Sequence, residues 1–352
     1  MTTGDRSGVA RVDAAAPAYA VIDRMVSADG WNLVAAGMAE STLQAYVYQW
    51  RRFGDWCRRT GRQYEPATIP TVISYLGHLE RQVDDAGRPP SPGTIGIVLA
   101  AIRHVHRFRR DKEPDYPVPD SVALTRAFVG YCNRWVRSGH RVRQCVATSW
   151  EHLAMLESAM DRSYVRDQRN AVIILAGFFG AMRSSELANL MLPDVSFTGD
   201  GAARLYVAHS KTDRTGRGDW VHLLPYGVPE LCPVSALRTW TQALAARGVT
   251  GGPLVRAVPA RDARTGIGDG MHRYGVSKVT TDAASKLGFE GTWGAHSHRR
   301  GAATEAARAG LQIHDIMALG RWKSAQAALR YIEQARSVNL LAGLGPGGHG
   351  RS

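Results

Sequence analysis

The chain has 352 residues, with 44 Lys and Arg against 31 Asp and Glu and a formal net charge of +13 at pH 7. That length predicts two domains, each able to bury a core, and the basic excess is spread along the chain, so the expected partner is a polyanion, most simply nucleic acid. The four cysteines (Cys57, Cys132, Cys145 and Cys232) are scattered with no C-x-x-C pair, which excludes a disulfide scaffold or zinc knuckle and fits a reducing compartment. The longest apolar run, Ala171 to Met182, is too short to span a bilayer, and the N-terminus has no charged start followed by an apolar core. The expectation is a soluble intracellular protein.

Residues 1–38 are rich in Ala, Gly and Asp and read as a flexible leader with one short helix around Ala18–Val26. From Ser41 onward, Leu43, Tyr46, Val47, Trp50, Phe53 and Trp56 recur at helical spacing, with Ser41 as the expected N-cap and Gly61 as the stop. A second helix fits Ile69 to about Gln82, and the Gly87–Pro92 stretch breaks it. A third runs from Ser91 or Thr94 to about Arg110, and a fourth covers Ser121 to Arg137. Together residues 39–136 read as a compact helical module with basic outer faces. Arg137 to Arg143 is basic and has no apolar period, so 137–148 is the expected linker, able to track a phosphate backbone.

The second domain is expected over 149–344, with 345–352 a disordered tail. Ser149 caps a helix to about Met160, and Leu175, Phe178, Phe179 and Met182 mark a buried helix leading to Arg183. Leu205–Ala208 and Trp220–Leu223 flank a turn-rich tip and predict a β-hairpin. Helices are expected again at Pro233–Arg247, Ser277–Leu287, Gly301–Ala309, Ile313–Leu319 and Ala325–Ala335.

Four pieces in this second half carry chemistry besides Arg183 and Glu186. Ser210-Lys211-Thr212 ends the first hairpin strand, His296-Ser297-His298-Arg299-Arg300-Gly301 opens a helix, Gly320-Arg321-Trp322-Lys323 separates two helices, and Tyr331 lies in the last one. Each has an ordinary structural reading when taken alone. Arg183 would be a core-edge arginine paired with Glu186, Tyr331 and Trp322 core aromatics, and a charged hairpin tip merely solvated. His296 and His298 lack a Cys or carboxylate at supporting spacing, so no metal is expected.

Together and in this order, the pieces resemble the tyrosine recombinase (phage integrase) family, of the Cre-like type, over roughly Trp150 to Gln334. Arg183 matches the first arginine and Glu186 the acidic residue that follows it. Lys211 matches the hairpin lysine, His296 and Arg299 the H-x-x-R pair, Trp322 the His/Trp position, and Tyr331 the nucleophile. The resemblance implies a mainly α protein: an N-terminal helical core-binding (SAM-like) domain, then an α+β catalytic domain with a small β-hairpin or sheet. It also implies strand exchange through 3′-phosphotyrosyl intermediates and a Holliday junction, by a homotetramer on double-stranded DNA that is a monomer when free. It implies no metal or nucleotide cofactor, and a place in the cytoplasm or nucleoid.

The chemistry of the side chains agrees with those roles. Breaking a phosphodiester without metal needs a side-chain nucleophile, charge neutralisation and a proton for the leaving oxygen. Tyr331 supplies a phenolic oxygen, and Arg183 and Arg299 bracket non-bridging oxygens with planar donors. Lys211 suits a general acid, His296 exchanges a proton or bonds the phosphate, and Trp322 donates only through its indole N–H. Glu186 is expected to orient Arg183 or His296. His298 falls where the family usually has an apolar residue, so it either finds a buried hydrogen-bond partner or adds a donor to the phosphate. Arg51, Arg103, Arg107, Arg141 and Arg143, with Arg261, are expected to contact DNA through phosphate. Ser337–Ala342 is a partly apolar segment that needs burying, and the resemblance implies that it packs on a neighbouring protomer. Two rival readings share parts of this: a type IB topoisomerase-like relaxase, which would act as a monomer, and an inactive DNA-binding relative.

Overall fold

The computed structural model describes residues 37–208, 216–259 and 266–332. The leader and its short helix, the hairpin tip with Lys211, Arg261, and the chain from 333 onward with its apolar segment lie outside the described residues. The chain divides into two compact units, with the boundary between Val142 and Arg143.

The first unit contains α1 (Glu40–Arg59), α2 (Ile69–Glu80), α3 (Pro92–Arg110) and α4 (Val122–Arg137). Thr68, Ser91 and Ser121 each accept a backbone N–H from the first turn of the helix that follows, so three of the four starts follow from side-chain caps. Ser41 does not cap α1. The helix begins at Glu40, Ala39 takes the cap position without a side-chain bond, and Gly61 at φ +66° follows the last turn. Phe53, Trp56, Tyr75, Leu79, Ile95, Ile102 and Leu124 form the buried core. His106 is buried among them. Its Nε2 accepts the Ala67 N–H at 2.8 Å and its Nδ1 donates to the Ile102 carbonyl at 2.7 Å, a pairing that requires the neutral ring. Burial holds its pKa below the ordinary imidazole value.

The second unit is built around α6 (Val165–Phe179), which follows α5 (Trp150–Ser158). Every residue from Ala171 to Phe178 is buried, more than the single stripe predicted from the sequence, because α6 is covered on several sides. The helix α8 (Pro233–Ala245) packs along it, and Trp240 of α8 donates its indole N–H to the Leu254 carbonyl at 2.8 Å.

A three-stranded antiparallel sheet, β1 (Val195–Phe197), β2 (Ala203–Val207) and β3 (Asp219–Leu223), covers the end of α6. The hairpin is β2 and β3. Strand β1 was not legible, since three residues cannot display a period of two. In register, Leu205 sits between Val195 and Val221, and Ala203, Leu205, Val207, Val221 and Leu223 face the core. A Cβ on Gly180 would lie 2.7 Å from Val221 Cγ1, so the close seating of the sheet on this corner depends on that glycine.

The remaining helices are α7 (Ser184–Asn189), α9 (Arg273–Lys286), α10 (Ala295–Arg308), α11 (Ile313–Gly320) and α12 (Ala325–Ile332). Both α9 and α10 start earlier than the sequence suggested, which places the whole His-x-x-Arg stretch inside the first turns of α10. The strand-like segment Cys145–Thr148 is stitched to α10 and the residues just before it. Val146 N–H bonds the Thr292 carbonyl at 2.8 Å, Thr148 N–H bonds Ser297 at 3.1 Å, and Arg300 Nη1 bonds the Cys145 carbonyl at 2.7 Å. A Cβ on Gly301 would fall 2.1 Å from the Thr148 carbonyl oxygen, so this contact tolerates no side chain there.

Candidate active site

Two chain reversals form the floor of the site. The first follows α6, where Gly180 ends the helix and Ala181 turns left-handed at φ +44°. Arg183 therefore heads α7 as its N-cap, past the end of the buried helix that leads to it. The second follows α11, where Arg321 takes the left-handed cap at φ +53°. Left-handed backbone costs an ordinary residue about 1–2 kcal/mol, so both positions need compensation from their surroundings.

Arg299 joins the two reversals. From α10 its Nη1 donates to the Ala181 carbonyl and its Nη2 to the Gly320 carbonyl, while Cζ lies 4.3 Å from the Trp322 ring centroid. A guanidinium has five N–H donors, so two bonds to backbone leave others for an anion. The side chain is 1% exposed. Burial, and then the nearby Arg183, press its pKa down to about 9, which leaves it charged at neutral pH.

Glu186, on the first turn of α7, is buried between two arginines. One carboxylate oxygen accepts from Arg183 Nη1, and the other accepts the Arg183 backbone N–H at 3.0 Å and Arg321 Nη2 at 2.7 Å. Burial alone would raise the pKa of this carboxyl. Arg321 and then Arg183 outweigh that and hold it below the usual carboxylate value. Of the two partners expected for Glu186, the structure provides Arg183. The second is Arg321, which the sequence reading did not single out.

Tyr331 stands on α12 beside these groups. Its Oη lies 3.0 Å from His296 Nε2, and its ring meets His296 at 5.5 Å and Trp322 at 5.1 Å between centroids. Its backbone carbonyl accepts from Thr304 Oγ1 at 3.1 Å, which ties α12 to α10. Trp322 is buried and packs between Arg299 and Tyr331, and a Cβ on Gly320 would fall 1.8 Å from its ring. His296 is exposed to solvent, yet the protein atoms around it strip part of its hydration. Lost hydration, then Arg299, Arg183 and Arg300, lower its pKa, so it is neutral at pH 7 and free to accept a proton. A cavity of about 280 Å³ beside the pair is lined by Arg143, Arg300, Arg330, His296 and Tyr331.

His298 takes the first of its two expected fates. It is fully buried, with Thr148 Oγ1 3.1 Å from Nδ1 and Thr280 Oγ1 2.8 Å from Nε2. It thus pins the Cys145–Thr148 segment and α9 to α10 and does not face the pocket. Burial lowers its pKa to about 3. Because the folded-state value lies below the unfolded one, the unfolded chain binds the extra proton, so this contribution is complete above about pH 6.5 and is lost as pH falls toward 3. The expected slope from this group is about 1.4 kcal/mol per pH unit below about pH 6. His298→Leu should lose about 1–3 kcal/mol at pH 7, through two stranded hydroxyls, and show a shallower acid slope. Urea unfolding between pH 7 and 5 measures both effects.

The arginines read as DNA contacts are placed differently from one another. Arg51 and Arg143 are exposed. Arg141 bonds the His140 carbonyl at 2.9 Å. Arg103 bonds Asp120 at 3.0 Å and Arg107 lies 3.6 Å from the same carboxylate, so those two also brace α3 against the start of α4. Among the described residues, no three His, Cys, Asp or Glu side chains group as a metal site, and no helix is long and apolar enough to cross a membrane.

The chain has relatives among known proteins. Residues 151–337 match the phage integrase family. The chain is 31% identical to an integrase/recombinase XerD homologue of Selenomonas ruminantium over 299 residues, covering 84% of this chain and 82% of the relative. It is 25% identical to the recombinase Cre of Escherichia phage P1, covering 85% of each. In fold it is similar to a lambda integrase tetramer bound to a Holliday junction (TM-score 0.56, 18% identity, 87% of this chain and 75% of that one). A lambda integrase dimer bound to a core site is a further structural neighbour (TM-score 0.54, 18% identity, 86% and 74%). The chain belongs to the phage integrase family of tyrosine recombinases.

Proposed function

We propose that this protein is a site-specific recombinase that cuts and rejoins duplex DNA with Tyr331 as nucleophile. The observation that carries the reading is the 3.0 Å approach of Tyr331 Oη to a neutral His296, with Arg183 and Arg299 beside them. Tyr331 Oη attacks the scissile phosphorus and forms a 3′-phosphotyrosyl bond, and the bond to the 5′ oxygen breaks. The phenolic proton passes to His296, and Lys211 protonates the leaving oxygen. Arg183 and Arg299 neutralise the non-bridging oxygens, and Trp322 packs the pocket and offers its indole N–H to the phosphate. Glu186 holds Arg183. Every bond broken is replaced by one of similar energy, so religation by the 5′ hydroxyl needs no nucleotide and no metal.

Exchange between two duplex sites requires two cuts in each, hence four nucleophiles. That supports a homotetramer on DNA assembled from protomers that are monomeric when free. Duplex DNA carrying a specific site is the substrate, which the charge of +13 and the exposed Arg51, Arg141 and Arg143 favour. The protein works inside the cell on the nucleoid.

The test uses nicked duplexes from the DNA flanking its gene, in which cleavage releases a short strand that diffuses away. Wild-type protein without divalent metal should form a covalent adduct that mass mapping assigns to Tyr331. An adduct on another residue overturns the site. Tight binding without any adduct overturns the recombinase reading in favour of an inactive DNA-binding relative.

A further inference from the structure

We propose that Arg321 is a positioning residue for strand cleavage, which holds the Glu186 carboxylate and through it the Arg183 guanidinium. The inference rests on the recombinase reading and adds to it a residue outside the matched set of catalytic positions.

Four observations meet at this side chain. Its Nη2 is 2.7 Å from Glu186 Oε2 and its Nη1 is 3.0 Å from the Gly180 carbonyl, so it reaches 135 residues back in sequence to the corner that carries Arg183. Of the two Glu186 oxygens, one serves the Arg183 side chain and the other is shared by the Arg183 backbone N–H and Arg321. The Arg321 side chain is 9% exposed, which is costly for a guanidinium unless it is paired. Its backbone is left-handed at φ +53°, where a residue with a Cβ is strained. The far end of this long, buried, charged side chain at a strained position meets Glu186 and the Gly180 carbonyl.

The physical consequence is a link between two parts of the site that must act together. Arg183 starts α7, and Tyr331 lies on α12, which begins at Ala325, shortly after Arg321. Arg299 already ties the two corners through backbone carbonyls. Arg321 ties them through a carboxylate, and that carboxylate sets the direction of the Arg183 guanidinium. Without Arg321, Glu186 Oε2 loses its cation inside the protein and keeps the Arg183 backbone N–H, which leaves the carboxylate less firmly aimed. A misplacement of about 1 Å in a positioning group costs on the order of a hundredfold in rate.

Arg321→Gly is the informative variant, because it removes the reach to Glu186 while relieving the backbone strain at φ +53°. Full-length protein would be assayed with the nicked duplexes for single-turnover cleavage and, separately, for non-covalent binding. Cleavage should fall by about 30- to 100-fold with binding within about threefold of wild type. Glu186→Gln should be impaired as well, and adding Arg321→Gly to it should cost no more than about a further threefold, since both act through one carboxylate. Arg321→Asn, also tolerated at positive φ but too short to reach, repeats the measurement if the glycine loosens the turn.

Cleavage by Arg321→Gly within about threefold of wild type overturns the proposal alone. So does a loss that multiplies in full on the Glu186→Gln background, because Arg321 would then act by another route. A wild-type protein that forms no adduct on Tyr331 overturns the recombinase reading and this inference together.

Discussion

Tyr331→Phe is expected to form no covalent adduct with DNA, a loss of at least ~10⁴-fold in cleavage, while binding the same duplex within about threefold of wild type. The substitution removes one oxygen. The ring keeps its contacts with Trp322 and His296, and the backbone carbonyl keeps the Thr304 hydroxyl, so α12 stays seated on α10. The lost hydrogen bond to His296 is half-open to solvent and should cost about 1 kcal/mol or less in stability. An unchanged melting curve with cleavage abolished would separate the chemistry from the fold. Adduct formation by Tyr331→Phe at even a hundredth of the wild-type rate would remove Tyr331 from the nucleophile's role.

Arg299→Ala should have the next largest effect, and unlike the first it should act on the fold as well as the reaction. Two buried carbonyls, Ala181 and Gly320, would lose their donor at once, each at a cost of about 1–3 kcal/mol. For a unit of this size that lowers the melting temperature by roughly 4–24 °C. The stack on Trp322 is lost too, and with it the support of the ring against which Tyr331 packs. Removal of a preorganised donor from a phosphate that gains charge costs about 10²–10³-fold by itself, so cleavage should fall by ~10³-fold or more. Arg299→Lys should recover little. A single ammonium cannot point at carbonyls on two separate turns and also at a phosphate, whereas the planar guanidinium does so with different N–H groups. Melting curves and single-turnover cleavage of both variants check this, and full activity in the lysine variant would contradict the two-turn geometry.

The buried helix before Arg183, the four-helix module and the family to which the second half belongs were readable because each leaves a local signal. Apolar residues at helical spacing, a serine or threonine ahead of them, and glycine after them act over one or two turns. Strand β1 left none, being three residues long, and α10 was placed too late because His296, His298 and Arg299 disguise an element that is in fact buried. Burial of charged and titratable groups is decided by partners far away in the chain. His298 is an example: its two hydroxyl partners, Thr148 and Thr280, lie 150 and 18 residues away, and nothing near it in sequence announces either of them.

By itself the sequence determined the class of the protein and the order of most of its helices, and it nominated the groups proposed for phosphoryl transfer. It did so because those depend on residue type and short-range spacing. Only the tertiary structure decided how the groups are oriented: that Arg183 heads a helix, that Arg299 bridges two left-handed turns, and that His298 is a buried brace. It alone brought Arg321 to Glu186. The reason is that a guanidinium looks the same in sequence whether it faces water, a phosphate or a carboxylate, and the choice among them is made by elements that meet only when the chain is folded.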